Sequence, residues 1–369
     1  MAITVYGASG YTGRLVAAEL RRRGFSVVLA GRDGDRLRAL ATELADTEPG
    51  DSVDGRKVEI ATRQVGVEDP AALADAFRGS DVVVNVAGPF ALVGEPVVRA
   101  AIEAGVPYLD TTAEQLFVKK VFDEFSDPAQ NAGVAVVPSV GFDIVPGDLL
   151  ANVVGSRVEQ ATDLLVAYDV HDWDMSRGTV RSAFGALTSG TFVYSDGGWR
   201  PGDGTTPYEA VTFPGNVEPT PVISWAGPEV ITVPRHVPTD RLSVVINASI
   251  VTPEFAQLLQ LPAETVATII DNLAEGPDDT RRAAARFTIV AEATGADGRR
   301  ARGVLHASDI YGSTAVIVAE AVRRLLAQPP RAGVLSPAQA FDAASFLDFL
   351  VPHGYSWDVQ TPADAPAAQ

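Results

Sequence analysis

Cysteine is absent from all 369 residues, which excludes disulfides, a thiolate nucleophile and cysteine-ligated zinc. Lysine is nearly absent too: Lys57, Lys119 and Lys120 are the only ones, and arginine carries the rest of the positive charge. The four histidines, His171, His236, His306 and His353, have no ligand partner at helical spacing and form no HExxH pattern, so no metal site is read. There is no Gly-x-Ser-x-Gly elbow, no paired-carboxylate pattern and no Tyr-x-x-x-Lys pair, which removes the usual hydrolase and short-chain dehydrogenase signatures. No apolar run approaches the ~20 residues of a membrane span, and no basic leader precedes the first strand. The expectation is a cytoplasmic chain. Net charge of −18 argues against nonspecific binding to nucleic acid or anionic membrane.

Glycine is present where it carries information. Gly7-Ala8-Ser9-Gly10-Tyr11-Thr12-Gly13 follows the apolar run Ile3 to Tyr6 and opens an amphipathic stretch from Arg14 to Arg23. Strand, glycine turn and helix make the setting of a dinucleotide fingerprint, here spaced GxxGxxG. Gly7 permits the tight turn, Gly10 lets backbone approach a pyrophosphate, and Gly13 lets helix and strand pack closely. The phosphates then lie on unpaired N–H groups at the positive end of the helix dipole.

The next apolar run, Ser26 to Ala30, ends in Gly31-Arg32. Enzymes selective for NAD place an acid on the ribose 2′-OH at about this distance, whereas Arg32 offers a 2′-phosphate a planar cation. Asp33 is read as the N-cap of a helix from Asp35 to Leu44. The expected cofactor is NADP(H).

Val58 to Ile60, Val82 to Ala87, Tyr108-Leu109 and Val134 to Val137 read as further strands. Helices fall between them at Pro70 to Phe77, Glu95 to Glu103 and Glu114 to Phe125. That alternation predicts an α/β, Rossmann-type doubly wound parallel sheet over 1–140. Proline, glycine and strand-like alternation then predict a second, α+β domain over 141–335, including a hairpin around Gly295-Ala-Asp-Gly298. Helices follow at Ser313 to Leu326 and Pro337 to Leu347, and 361–369 reads as a disordered tail. A homodimer through the second domain is compatible with this layout.

Ala87, Gly88, Pro89 and Phe90 follow a central strand at its carboxyl end, where open α/β sheets bind ligands. Small Ala87 and Gly88 admit a cofactor; Pro89 and Phe90 are candidate walls for a nicotinamide. Asp143, in Gly141-Phe-Asp-Ile-Val-Pro-Gly-Asp148, is either a helix cap or a group that orients substrate. His171 is the histidine best placed for acid catalysis, and Tyr11, in the glycine turn beside the expected nicotinamide, is a further catalytic candidate.

These motifs together resemble the saccharopine dehydrogenase-like family of NADP-binding oxidoreductases, which includes saccharopine reductases and trans-acting enoyl reductases. The resemblance rests on Gly7 to Gly13, Ala30-Gly-Arg32, Asn85-Val-Ala-Gly-Pro-Phe90, Gly94, Ala104-Gly105 and Tyr108-Leu-Asp110. It continues through Gly141 to Asp148, similar to a GFDxxPxDL element, Ser176-Arg-Gly-Thr179, and Gly333 to Ala338. Two positions depart from it: Ala113 precedes Glu114 where relatives carry Gly, and Gly66 stands where an Asp often bonds the adenine. The resemblance implies that 336–360 packs back onto the first domain. It also implies an NADPH-dependent reductase acting on a C=C or C=N bond of a small-molecule or acyl substrate. The alternatives are a non-catalytic NADP(H) sensor and a saccharopine-type amino-acid reductase.

Overall fold

Consecutive apolar residues, rather than alternating ones, mark strands buried on both faces. Ile3, Val5, Val27, Leu29 and Val82 to Val84 are all within 1% of complete burial. In the computed structural model, which describes residues 1–360, the first half of the chain alternates strand and helix throughout. The order is β1 (Ala2–Tyr6), α1 (Tyr11–Arg22), β2 (Ser26–Gly31), α2 (Gly34–Ala45), β3 (Ile60–Gln64) and α3 (Pro70–Phe77), then β4 (Val82–Asn85), α4 (Phe90–Glu103), β5 (Tyr108–Asp110), α5 (Gln115–Ala132) and β6 (Ala135–Val137). The third strand begins at Ile60, where the expected one ends, and α5 runs about two turns beyond Phe125 to left-handed Gly133.

The second half holds α6 (Val145–Gly155), β7 (Ala161–His171), α7 (Arg177–Thr188), β8 (Thr191–Ser195), β9 (Gly198–Gly202), β10 (Ala210–Val211) and β11 (Thr220–Ser224). After these come β12 (Thr239–Asn247), β13 (Arg286–Gly295), β14 (Arg300–Ser308), β15 (Gly333–Val334) and β16 (Ser356–Gln360). The first sheet is parallel, in the order β15-β6-β5-β4-β1-β2-β3, so the strand order reverses between β1 and β4. This is the doubly wound sheet the alternation predicts, and its switch point lies beside the glycine turn. The second sheet runs β10-β11-β12-β7-β13-β14-β16, with β8 and β9 branching from β12; only the β12–β7 pairing is parallel.

The return of 336–360 to the first domain is divided: Phe349 lies under the Arg23 guanidinium at the end of α1, 5.0 Å from its ring centroid, whereas Ser356–Gln360 pairs antiparallel with β14 and covers the edge of the second sheet. Gly333–Val334, which the expected boundaries put in the second domain, adds the seventh parallel strand to the first sheet. The expected helix from Pro337 to Leu347 is two helices, Pro337–Ala340 and Ala343–Leu350, because Asp342 starts a fresh one by accepting the Ser345 N–H at 2.8 Å. The tail at 361–369 lies outside the described residues.

The helix α6 joins the two halves and is buried almost all round, packing on β13, β14 and β7 and against Ala343–Leu350. Its first turn gathers buried acids. Asp148 accepts the Ala338 N–H at 2.8 Å and meets Nε2 of His236 at 3.1 Å. The Tyr168 hydroxyl lies between the Glu229 carboxylate and the Asp143 carbonyl, an approach that only a glycine at 147 allows. Burial pushes Glu229 up to about 8 and Asp143 up to about 7.

Unfolded, both carboxyls would lose their protons near pH 4. The folded state therefore holds protons that the unfolded state has released, and stability drains as pH rises towards the folded values. The thermal midpoint should fall between about pH 5 and about pH 8.5, and Glu229→Gln should flatten the fall. Calorimetry across that range checks this; a slope the substitution leaves unchanged contradicts it.

Candidate functional site

A cleft of about 730 Å³ opens at the carboxyl edge of the first sheet, over the switch point. Its floor is the glycine turn: Gly7, Ser9, Gly10, Tyr11 and Thr12 all line it. Gly7 is left-handed at φ +86°, and a Cβ there would stand 2.8 Å from the Ala87 backbone. A Cβ on Gly13 would stand 2.3 Å from the Gly7 carbonyl, so Gly13 works from beneath, by letting α1 press on the turn. No side chain caps α1 at Gly10. Its first-turn amides are left for a ligand or solvent, as a pyrophosphate site requires.

At one end the cleft is bounded by Gly31, Arg32, Asp33 and Gln64. The Asp33 side chain accepts the Arg36 N–H at 3.0 Å, the capping role read from the sequence. Exposed Arg32 lines the cleft beside two acids that are already engaged, Asp33 as the helix cap and Asp35 in an ion pair with Arg38. At the other end lie Val86, Ala87, Gly88 and Val93. Pro89 and Phe90 do not line the cleft. Pro89 occupies the N-cap position of α4, and the Phe90 ring turns into the core against Phe117, 5.7 Å between centroids.

The roof comes from the second domain. Ser176, Arg177, Gly178 and Arg181, at the start of α7, line the cleft together with Glu275. The segment 275–277 straps onto the glycine turn. The Tyr11 hydroxyl donates to the Pro277 carbonyl at 2.7 Å, and its ring fills the space a side chain at Gly276 would take. Tyr11 also stacks edge-on against Tyr311, whose hydroxyl accepts the Ser176 N–H at 2.6 Å. Burial pushes the Tyr11 hydroxyl up, and its proton is engaged by a carbonyl, so the structure shows Tyr11 as a bridge between domains.

The two other candidates stand outside the cleft lining. Asp143 is neither a cap nor a wall: the N-cap residue of α6 is Ile144, without a side-chain bond, and Asp143 belongs to the acid cluster at the domain junction. His171 ends β7, half exposed, with Nε2 2.9 Å from Asp169 Oδ1. Among the described residues no group of three or more His, Cys, Asp or Glu could hold a metal ion.

One residue at the site was missed as a functional group. Buried Glu114 accepts the N–H groups of Phe90 at 2.8 Å and Ala91 at 2.7 Å, and the Ser182 hydroxyl at 2.8 Å. It thereby ties the Gly88 loop to the roof helix α7. Its partners lie 23 to 68 residues away, a pairing no local pattern encodes.

A dinucleotide-binding sheet with a mixed-sheet lid over its switch point defines the class. Residues 3–137 match the family described as the saccharopine dehydrogenase NADP binding domain. By this match the first domain is a saccharopine dehydrogenase-type NADP binding domain. Over the whole chain the fold is similar to that of saccharopine dehydrogenase (L-Glu forming) from Saccharomyces cerevisiae, with TM-score 0.63, 15% identity, and coverage of 98% of this chain and 100% of that one. Among curated proteins, the chain is similar to a lipid droplet localized protein of Caenorhabditis elegans, 34% identical over 154 residues, or 41% of this chain and 35% of that protein. A saccharopine dehydrogenase-like oxidoreductase of Bos taurus is 32% identical over 155 residues, covering 40% and 35%. A putative trans-acting enoyl reductase of Mycobacterium tuberculosis is 34% identical over 149 residues, covering 40% and 33%. The chain thus spans about a third of the length of the curated relatives it matches.

The glycines make separable predictions. A Cβ at Gly10 meets only the Gly7 carbonyl, at 3.3 Å, but projects beside the cleft floor, whereas one at Gly13 collides with backbone. Gly10→Val should cost NADPH binding at least tenfold with little change in melting temperature, and Gly13→Val should lower both. Fluorescence titration and thermal melts of the two variants check the contrast; intact NADPH binding by Gly10→Val would move the nucleotide elsewhere.

Proposed function

We propose that this chain is an NADPH-dependent reductase that delivers hydride to a polarised double bond of a small-molecule or acyl substrate in the cleft beneath α7. The observation that carries this reading is the position of that cleft. It joins the glycine turn, Arg32 and the Gly88 loop at the switch point, and the second domain roofs it. Bound NADPH would supply the hydride. The turn and the α1 N-terminus would hold the pyrophosphate, Arg32 the 2′-phosphate, and Ala87 and Gly88 would admit the nicotinamide. The roof helix would exclude water and orient the acceptor.

Within that reading an enoyl acceptor is favoured over an imine. A cationic imine nitrogen calls for acids at the reacting end, yet Asp143 and Asp169 are absent from the cleft lining and Asp172 is exposed elsewhere. The Val86–Gly88 end instead meets small and apolar groups and the start of α7, which suit negative charge developing on an enolate oxygen. The name of the M. tuberculosis relative supports the same choice. A cytoplasmic location and a homodimer through the second domain complete the proposal; among the described residues no helix is long and apolar enough to cross a membrane.

NADPH should bind at least tenfold more tightly than NADH, ~1.4 kcal/mol, and Arg32→Asp should abolish or reverse that preference. Oxidation of NADPH, followed with enoyl thioesters, cyclic imines and 2-oxo-acid/amine pairs, should appear with the thioesters. Equal affinity for the two cofactors would sink the Arg32 assignment. Tight NADPH binding with silence across all three substrate sets would favour a sensor.

A further inference from the structure

Five arginines line the cleft, Arg32, Arg36, Arg38, Arg177 and Arg181, in a chain whose net charge is −18. That is more positive charge than one 2′-phosphate requires. Two of the five come from opposite domains and converge on one atom. Arg36, from α2, and Arg177, the first residue of α7, both direct Nη2 at Oε1 of Glu275. The same Nη2 of Arg36 donates to the Ser9 carbonyl in the glycine turn at 2.8 Å, so its guanidinium is held against the cleft floor. Arg177 is fixed from the other side: its backbone N–H donates to the Glu275 carbonyl at 3.2 Å and its Nη1 to the Asp271 carbonyl at 3.1 Å.

We propose that Arg36 and Arg177 form a phosphate subsite shared by the two domains, and that Glu275 fills it until a dinucleotide phosphate displaces it. This rests on the cleft being the NADP(H) site. The three side chains are between 28% and 46% exposed, and ion pairs in such contact with water are individually weak. A phosphate brings more charge and more acceptor oxygens than a carboxylate, and two guanidinium groups suit it geometrically. Displacing Glu275 costs little, because its carboxylate returns to solvent. The exchange would tie the glycine turn to α7 through the ligand in place of the protein's own acid. Cofactor binding would then tighten the roof over the cleft.

The test is Glu275→Gln in the full chain, titrated with NADPH and NADH by fluorescence. Gln keeps the length and the acceptor oxygen but removes the competing charge. NADPH should bind about three- to fivefold more tightly, and Arg177→Ala added to that variant should remove the gain. A gain confined to NADPH places the 2′-phosphate on the pair; an equal gain for NADH places the pyrophosphate there. Unchanged or weaker NADPH binding by Glu275→Gln overturns the subsite and leaves Glu275 as a strut between domains. Failure of the unmodified chain to bind NADPH overturns the cleft reading itself, and the subsite with it.

Discussion

The structure turns on a contact between backbones that no side chain could share. The Gly7 α-carbon lies against Ala87 at the end of β4, and Gly13 brings α1 down onto the Gly7 carbonyl. Strand, turn and helix therefore meet with almost no space between them, at the place where the strand order of the sheet reverses. The open helix terminus, the cleft and the position of Arg32 follow from that packing.

The second domain depends on the same turn. Tyr11, inside the glycine fingerprint, passes its hydroxyl to Pro277 and its ring to Gly276 and Tyr311. Arg36 joins the Ser9 carbonyl to Glu275, and Glu114 joins the Gly88 loop to Ser182. The roof of the cleft is thus fastened at both ends to the elements that would hold the cofactor. Movement of one domain would be felt by the other through three identifiable contacts, two of them hydrogen bonds among partly buried groups.

Local patterns in the sequence reached as far as local physics does. The glycine turn, the Arg32 position, the Asp33 cap and the alternating elements of the first sheet depend on neighbours within a few residues, and they were legible. The direction of Phe90 was not, because Phe117 takes its ring into the core from 27 positions away. Asp143 looked like a cap beside Pro146, but Tyr168 and Glu229 draw that turn into a buried junction. The strap at 275–277 sits in a loop with no motif, and its partners are about 240 to 270 residues distant in the chain. The split of 336–360 was hidden for a related reason: Ser356–Gln360 is claimed by the open edge of β14, which no reading of the segment alone displays.

The central claim is that one cleft, floored by the glycine turn and roofed by α7, holds the dinucleotide with its reactive end towards Gly88. A crystal structure of the chain with NADPH tests it most directly. The account predicts the pyrophosphate on the amides of the turn, the 2′-phosphate beside Arg32 and the nicotinamide between Gly88 and the start of α7. A nicotinamide ring turned away from Gly88 into solvent, or a 2′-phosphate remote from every cleft arginine, would contradict it.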